Sequence, residues 1–400
     1  MKPKEVDPML PQETVQLGTH RSVIRELFEF GKVRAAQIGA ENVYDFSIGN
    51  PSVPPPQCVA DTGKELLEGD PMLLHGYTSA QGDPAVRAAI AEDLNRRFHA
   101  SYSQNDLYLT VGAAAALCCC FHGLTCPGDE FICFAPYFPE YGVFISGAGG
   151  KMVVIPADIE TFQINFDAFE TAVNEHTKGV VVNSPNNPCG VVYSPETVKR
   201  MADILRRKSA QYGHPIYLIS DEPYREIVFD VEVPWLPDYY DNTLVCYSYS
   251  KSLSLPGERI GYVLVPPCVE DHDTVYAAVF GGGRKVGYVC APSFFQHLVA
   301  RCVGQTADLS VYRRNKELLL KSLREMGYHC VEPGGTFYLF PRSLEPNDMA
   351  FSERAKKHDL LLVPGSGFDC PGHVRISFCV PTERIERALP AFEKLKKEYS

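Results

Sequence analysis

No stretch of this 400-residue chain approaches the roughly 18 consecutive apolar residues of a membrane-spanning helix. The opening Met1-Lys2-Pro3-Lys4-Glu5-Val6-Asp7 also lacks the apolar centre of an export signal. Both absences lead to the expectation of a soluble, cytoplasmic protein with no membrane partner. Excess basic charge is missing too: 38 Lys and Arg stand against 49 Asp and Glu, a net charge of −11, so no nucleic-acid surface is expected. The 14 cysteines include no C-x-x-C and no paired Cys/His spacing, and no metal is expected. In a reducing compartment they read as small apolar packing residues. G-x-G-x-x-G, G-x-x-x-x-G-K-[ST] and G-x-S-x-G are all absent, so dinucleotide-binding, P-loop and α/β-hydrolase chemistry lack their anchors.

What the chain does have is a globular composition, 45% hydrophobic and 22% charged, over a length exceeding one ordinary domain. The expected division is an N-terminal arm with part of a small domain (1–50), a large domain (51–282) and a small C-terminal domain (283–400). Gly281-Gly282-Gly283 would be the flexible boundary. Apolar spacing predicts one amphipathic helix over residues 13–39. Asp83-Pro84 supplies an N-cap and a first-turn proline for a helix carrying Val86, Ile90 and Leu94, which leaves Tyr77 in an ordered loop. From about residue 105 short apolar runs alternate with helical stretches, the pattern of strand and crossover-helix units. Seven strands are predicted, near 107–111, 131–134, 152–155, 179–183, 216–220, 244–248 and 260–265. The fold class is therefore α/β, with a mostly parallel seven-stranded sheet in the large domain. A smaller α+β domain follows, with a helical stretch over 293–326, strands at 336–341, 360–363 and 373–379, and a closing helix over 383–397 that contains Pro390.

Ligands of such sheets gather at the carboxyl ends of the strands, and the polar residues of this chain do the same. Lys251 follows the apolar run ending at Tyr247 and is ringed by Ser248, Ser250 and Arg259. Partial desolvation there disfavours the ammonium, and a free amine can attack a carbonyl to form a Schiff base. The serines and the Arg fork suit a phosphate. Gly112-Ala113-Ala114 opens a helix whose free amides could hold an anion. Asp221 ends the run Ile216–Ile219 with a carboxylate that needs a partner. Arg375 lies inside a predicted strand, where an internal salt bridge is the plain alternative to a functional role.

Taken in order, Gly49, Tyr77, Gly112-Ala113-Ala114, Phe138, Asn187, Asp221, Tyr224, Lys251, Arg259 and Arg375 resemble the fold-type I pyridoxal-phosphate aminotransferases of class I/II, in the aspartate aminotransferase superfamily. The S-x-S-K-x-x-x-x-x-x-x-R spacing of Ser248 to Arg259, the D-x-x-Y of Asp221 and Tyr224, and the N-N-P-x-G of Asn186 to Gly190 carry the likeness. The chain departs from it at Cys189, where the family often has Thr. The resemblance implies pyridoxal 5'-phosphate as cofactor, an amino acid and a 2-oxo acid as substrates, and a homodimer with shared sites. Lys251 is then the Schiff-base lysine and proton carrier, Asp221 the partner of the pyridine nitrogen, and Tyr224 and Asn187 the donors to the ring oxygen. Phe138 would stack on the ring, while Ser248, Ser250, Arg259, Ala113 and Ala114 would hold the phosphate. Arg375, with Gly49 and Asn187, would bind the substrate carboxylate, and Tyr77 would reach the neighbouring subunit's phosphate.

Substrate choice is open at this stage. Arg284 and Lys285 would admit aspartate or glutamate if they face a cleft; Tyr137, Phe138 and Tyr141 suit aromatic or other neutral amino acids. Two other functions fit the same residues: a cystathionine β-lyase-like C–S lyase, and a non-catalytic binding or regulatory protein.

Overall fold

Side-chain alternation decides how the large sheet is buried. In this computed structural model, which describes residues 10–19 and 23–399, seven strands form a single sheet. They are β1 (Leu107–Thr110), β2 (Glu130–Phe134), β3 (Lys151–Ile155), β4 (Thr177–Asn183), β5 (Tyr217–Asp221), β6 (Thr243–Ser248) and β7 (Gly261–Leu264). Their order is β1-β7-β6-β5-β4-β2-β3, with β7 antiparallel to both neighbours and the other pairs parallel. The predicted strands coincide with these seven apart from their ends. Among the helices are α1 (Gln12–Thr19), α2 (Val23–Ile38), α3 (Gln57–Glu68), α4 (Pro84–Phe98), α5 (Ala113–Leu124), α6 (Pro195–Tyr212), α7 (His272–Lys285), α8 (Ser293–Ala300), α9 (Ser310–Glu325) and α10 (Thr382–Lys397).

Successive strand residues point to opposite faces. Phe131, Cys133, Val181, Ile219 and Cys246 therefore pack with α5 and α7 on one side. Ile132, Val180, Val182 and Leu218 meet α6 on the other, and Leu109, Val245 and Leu264 meet α4 and α8. Covering both faces is what lets a largely parallel sheet be apolar throughout. Every described cysteine is free, and most are buried. No described helix is long and apolar enough to cross a membrane.

A second body holds a three-stranded antiparallel sheet, with β10 (Val374–Ser377) between β9 (Val363–Pro364) and β8 (Tyr338–Leu339). Its core joins Leu319 and Leu323 of α9 to Ile385 and Phe392 of α10, and the parallel pair Tyr44–Asp45 and Leu360–Leu361 lies beside it. Strand pairing here is shorter than expected: the predicted strand 336–341 pairs regularly only at Tyr338–Leu339. The helical stretch predicted over 293–326 is broken between α8 and α9, where Gly304 takes a φ of 77° and the Ala307 amide donates to Ser252 O at 2.8 Å.

Two expectations are corrected. The single helix over 13–39 is α1 and α2, with residues 20–22 between them outside the described residues. The Gly281–Gly283 triplet is no flexible boundary: it lies within α7. A Cβ at Gly282 would come within 2.2 Å of Cys119 O, and one at Gly283 within 2.1 Å of the Tyr108 hydroxyl. Glycine costs a helix interior about 1 kcal/mol relative to alanine; here the missing side chains let α7 lie directly against α5.

Candidate active site

The carboxyl ends of β4, β5 and β6, the start of α5 and the strand β10 surround one cavity of about 410 Å³. It is lined by Gly49, Ala113, Ala114, Phe138, Asn187, Asp221, Tyr224, Ser248, Ser250, Lys251, Arg259 and Arg375, which are the residues given a role by the resemblance apart from Tyr77. Tyr77 is 100% exposed and lies outside the cavity of its own chain. Arg284 and Lys285 are also exposed and outside it; the Lys285 ammonium donates to His122 O at 3.1 Å.

Lys251 sits in the short helix Tyr249–Ser252 directly after β6, and its Nζ donates to Gly49 O at 2.9 Å. Gly49 has no room for a side chain, since a Cβ there would meet the Tyr338 hydroxyl at 1.8 Å. Burial lowers the Lys251 pKa to about 8; Cys379 opposes the shift, and Arg259 and Arg375 add to it. An appreciable fraction of free amine is therefore present near neutral pH.

Asp221 ends β5 and is 5% exposed. Tyr141 donates to its Oδ2 at 2.5 Å, and its Oδ1 has no partner among the described residues. Burial pushes the carboxyl up to about 7, with the Tyr141 hydrogen bond pulling it down and Glu222 adding to the rise. Two steps away, Asn183 at the end of β4 donates from Nδ2 to Asp221 O at 2.8 Å and accepts the Asn187 amide at 2.7 Å. Asn187 Oδ1 in turn accepts from Arg375 Nη1 at 3.0 Å. A line of neutral amides thus joins the main-chain carbonyl of Asp221 to the buried Arg375 guanidinium.

Arg375 is 3% exposed, in register with Val363 of β9. Its Nη2 donates to Ser47 O at 2.6 Å, its Nε has no partner among the described residues, and its Cζ lies 4.5 Å from the Tyr338 ring and 4.9 Å from the Phe368 ring. The internal salt bridge is not there: no ion pair with Arg375 is found among the described residues. At the opposite end, Gly112 takes a φ of 90° and gives the first turn of α5 no side-chain cap, leaving its amides to face the cavity. A Cβ at Gly112 would lie 3.1 Å from Arg259 Nη2, so that guanidinium rests over the helix start. Arg259 itself takes a φ of 52°, an uncommon conformation for a non-glycine residue.

The arrangement is an amine, a buried acid, an anion cradle and a carboxylate-sized cation around one space. The family model described as aminotransferase class I and II matches residues 41–392. The chain belongs to that family. It is 30% identical over 368 residues to an aspartate aminotransferase from Thermotoga maritima, covering 90% of this chain and 93% of that one. It is 27% identical to aromatic-amino-acid aminotransferase 2 from Thermococcus litoralis, covering 94% and 96%. A solved aminotransferase from Eubacterium rectale superposes with a TM-score of 0.97 at 57% identity, covering 98% of this chain and all of that one.

The protein is thus a pyridoxal-phosphate-dependent aminotransferase of fold type I, acting on an amino acid and a 2-oxo acid. Neither the lyase reading nor the non-catalytic one is favoured by these relatives. The cofactor fits the residues present on one observation above all: the orphaned, buried Oδ1 of Asp221 is what a protonated pyridine nitrogen would satisfy.

Sequence reasoning missed three participants. Asn183 was visible only as part of a polar turn, although its place at a strand end was a usable signal. Tyr141 was read as an aromatic face, whereas its hydroxyl is what contacts Asp221. Tyr338, whose hydroxyl is 3.2 Å from that of Tyr224, sits in an apolar strand with no local sign of a role. The thiol of Cys189, the one departure noted, donates to Asn186 Oδ1 at 3.0 Å and so stays within its turn.

Proposed function

We propose that Lys251 is the group that bonds the cofactor and moves a proton at the substrate α-carbon, and that Asp221 and Arg375 fix the two ends of the reacting assembly. The observation that carries this reading is the orphaned Asp221 Oδ1 facing the same cavity as the Lys251 amine. When bound, pyridoxal phosphate supplies the electron sink that stabilises negative charge at the α-carbon. Asp221 would hold a cationic ring nitrogen, and a cation beside it would return the carboxyl to its ionised form. Ser248, Ser250, Arg259 and the amides of Ala113 and Ala114 would hold the phosphate, where helix dipole and free N–H groups favour an anion. Tyr224 would donate to the ring oxygen, Phe138 would cover the ring, and Asn187 would keep both the ring and Arg375 in place.

Arg375 would take the substrate α-carboxylate bidentately, with the Gly49 backbone alongside. With the carboxylate and the ring both fixed, the α-hydrogen would be set against the Lys251 amine, which would carry it as a proton between the substrate α-carbon and the cofactor C4′. A homodimer is part of the proposal. Its support is the fully exposed Tyr77, flanked by exposed Leu67, Met72 and Leu73. We also propose that the small domain begins C-terminal to α8 rather than at residue 283, because α8 packs on α3 and α4.

The test is a panel of amino-acid and 2-oxo-acid pairs with cofactor-loaded protein. Amino transfer that is lost in Lys251→Ala, with the characteristic visible absorbance lost as well, is the expected result. Release of pyruvate and thiol from cystathionine without amino transfer would replace this reading with the lyase.

A further inference from the structure

Two buried phenols that line the cavity come from different sheets. Tyr224 follows β5 of the large sheet, whereas Tyr338 opens β8 of the small one, opposite Ser377 of β10. Alternation puts Ser377 and Arg375 on one face of β10, so Tyr338 and Arg375 reach the cavity together. Phe337 holds the pair in place, its ring centre 5.6 Å from that of Tyr224 and 5.0 Å from that of Tyr338. The two hydroxyls lie 3.2 Å apart, and neither has another hydrogen-bond partner among the described residues. Burial raises both phenols above their ordinary pKa, so each carries its proton. The pair therefore holds two protons and makes one hydrogen bond. One O–H is left over, and its acceptor has to come from whatever fills the cavity.

Which hydroxyl keeps the spare proton follows from the charges around them. Arg375 Cζ lies 4.5 Å from the Tyr338 ring, and a cation beside a phenol makes it the better donor. Asp221 acts on Tyr224 in the opposite sense. Lys251 lines the same cavity, and the Cys379 thiol also faces Tyr338. We propose that Tyr338 is a positioning residue: it donates to the Tyr224 oxygen and so commits the Tyr224 proton to an acceptor in the cavity, the ring oxygen of the cofactor. This rests on the reading of the cavity as a pyridoxal-phosphate site. Chained hydroxyls polarise one another, so Tyr224 donates more strongly than it would alone. A stronger donor stabilises an anionic ring oxygen, which lowers the pH at which the cofactor joined to Lys251 gives up its proton.

The measurement is a pH titration of the visible absorbance of cofactor-loaded protein, in the parent, Tyr338→Phe, Tyr224→Phe and the double variant. Both substitutions keep the ring and remove only the hydroxyl. Tyr224→Phe should move the midpoint up by about 1–2 pH units, the worth of a hydrogen bond to a charged oxygen. Tyr338→Phe should also move it up, by somewhat under one unit, the worth of a neutral hydrogen bond. In the Tyr224→Phe background, Tyr338→Phe should add nothing, because its route to the ring is gone. The sign is decisive. If Tyr338 instead accepts the Tyr224 proton, it competes with the ring oxygen, and its removal would lower the midpoint. A lower midpoint, an unmoved one, or an equal rise in both backgrounds would each overturn the assignment while the aminotransferase reading stands. A midpoint that Tyr224→Phe leaves in place, or loaded protein with no visible band, overturns the reading of Tyr224 along with it.

Discussion

The large sheet and the small sheet each present one buried charged group to the cavity, and they handle it differently. Asp221, at the end of β5, can shed its charge: burial raises its carboxyl to about 7, so without a cation nearby it takes up a proton. Arg375, in β10, has no such escape, because a guanidinium stays protonated. It is instead held by Asn187 Oδ1, Ser47 O and two aromatic faces. On the proposed reading, the Asp221 site would be completed by a ligand that changes its ionisation, whereas the Arg375 site would be formed before its ligand arrives. Each retains one orphaned polar atom.

The sharpest way to break this comparison is to remove the two charges separately. Asp221→Asn should lower kcat by roughly a thousandfold, the scale of losing one preorganised electrostatic group in a dry site, while KM for the amino acid changes little. Arg375→Ala should act mainly on KM, with kcat/KM down about a hundred- to a thousandfold, because a buried charge-assisted contact is lost. Arg375→Lys should recover little of it, since a point charge cannot replace the fork. If both variants fell equally in kcat with unchanged KM, the division of labour between the sheets would be wrong.

Ionisation gives a second, smaller separation in protein freed of cofactor. Asp221 has a folded-state value of about 7, above its unfolded value of about 4. A raised acid pKa means the folded state binds more protons than the unfolded state between those values, so stability falls as pH rises from about 4 to 7. The change from pH 5 to pH 8 should be about 2–3 kcal/mol at this one site. Loading the cofactor should remove most of it. The difference in Tm between loaded and cofactor-free protein should therefore widen from pH 5 to pH 8, and Asp221→Asn should flatten the cofactor-free curve. Arg375→Ala should not change the slope.

The same contrast explains what could be read from the chain. Asp221, Lys251 and Arg259 announce themselves because a charge at the end of an apolar run has few structural reasons to be there. The seven strands were legible for the related reason that a sheet covered on both faces leaves continuous apolar runs. Arg375 was visible as an anomaly, yet telling a ligand clamp from a salt bridge required knowing which side chains surround β10. Asn183, Tyr141 and Tyr338 are neutral polar residues whose meaning lies in partners 38, 80 and 114 positions away, and no local pattern encodes those distances. The Gly281–Gly283 triplet failed for the opposite reason: glycine marks a turn or a close approach equally well, and here α5 decides between them.

The finest test of the Asp221 side concerns Tyr141, whose hydroxyl is the carboxyl's one side-chain donor among the described residues. That hydrogen bond favours the ionised carboxylate and pulls its pKa down against burial. Removing it in Tyr141→Phe keeps the ring that meets Phe138 edge-on at 5.7 Å but strands a second buried oxygen. A hydrogen bond of about 1 kcal/mol corresponds to somewhat under one pH unit. In cofactor-free protein the upper end of the pH-dependent fall in Tm should therefore move to higher pH by about that amount. In an Asp221→Asn background the same substitution should move nothing, because the titrating group is gone. A shift that persists in that background, or one toward lower pH, would mean that Tyr141 tunes some other group and that the large sheet does not set the ionisation of Asp221 through it.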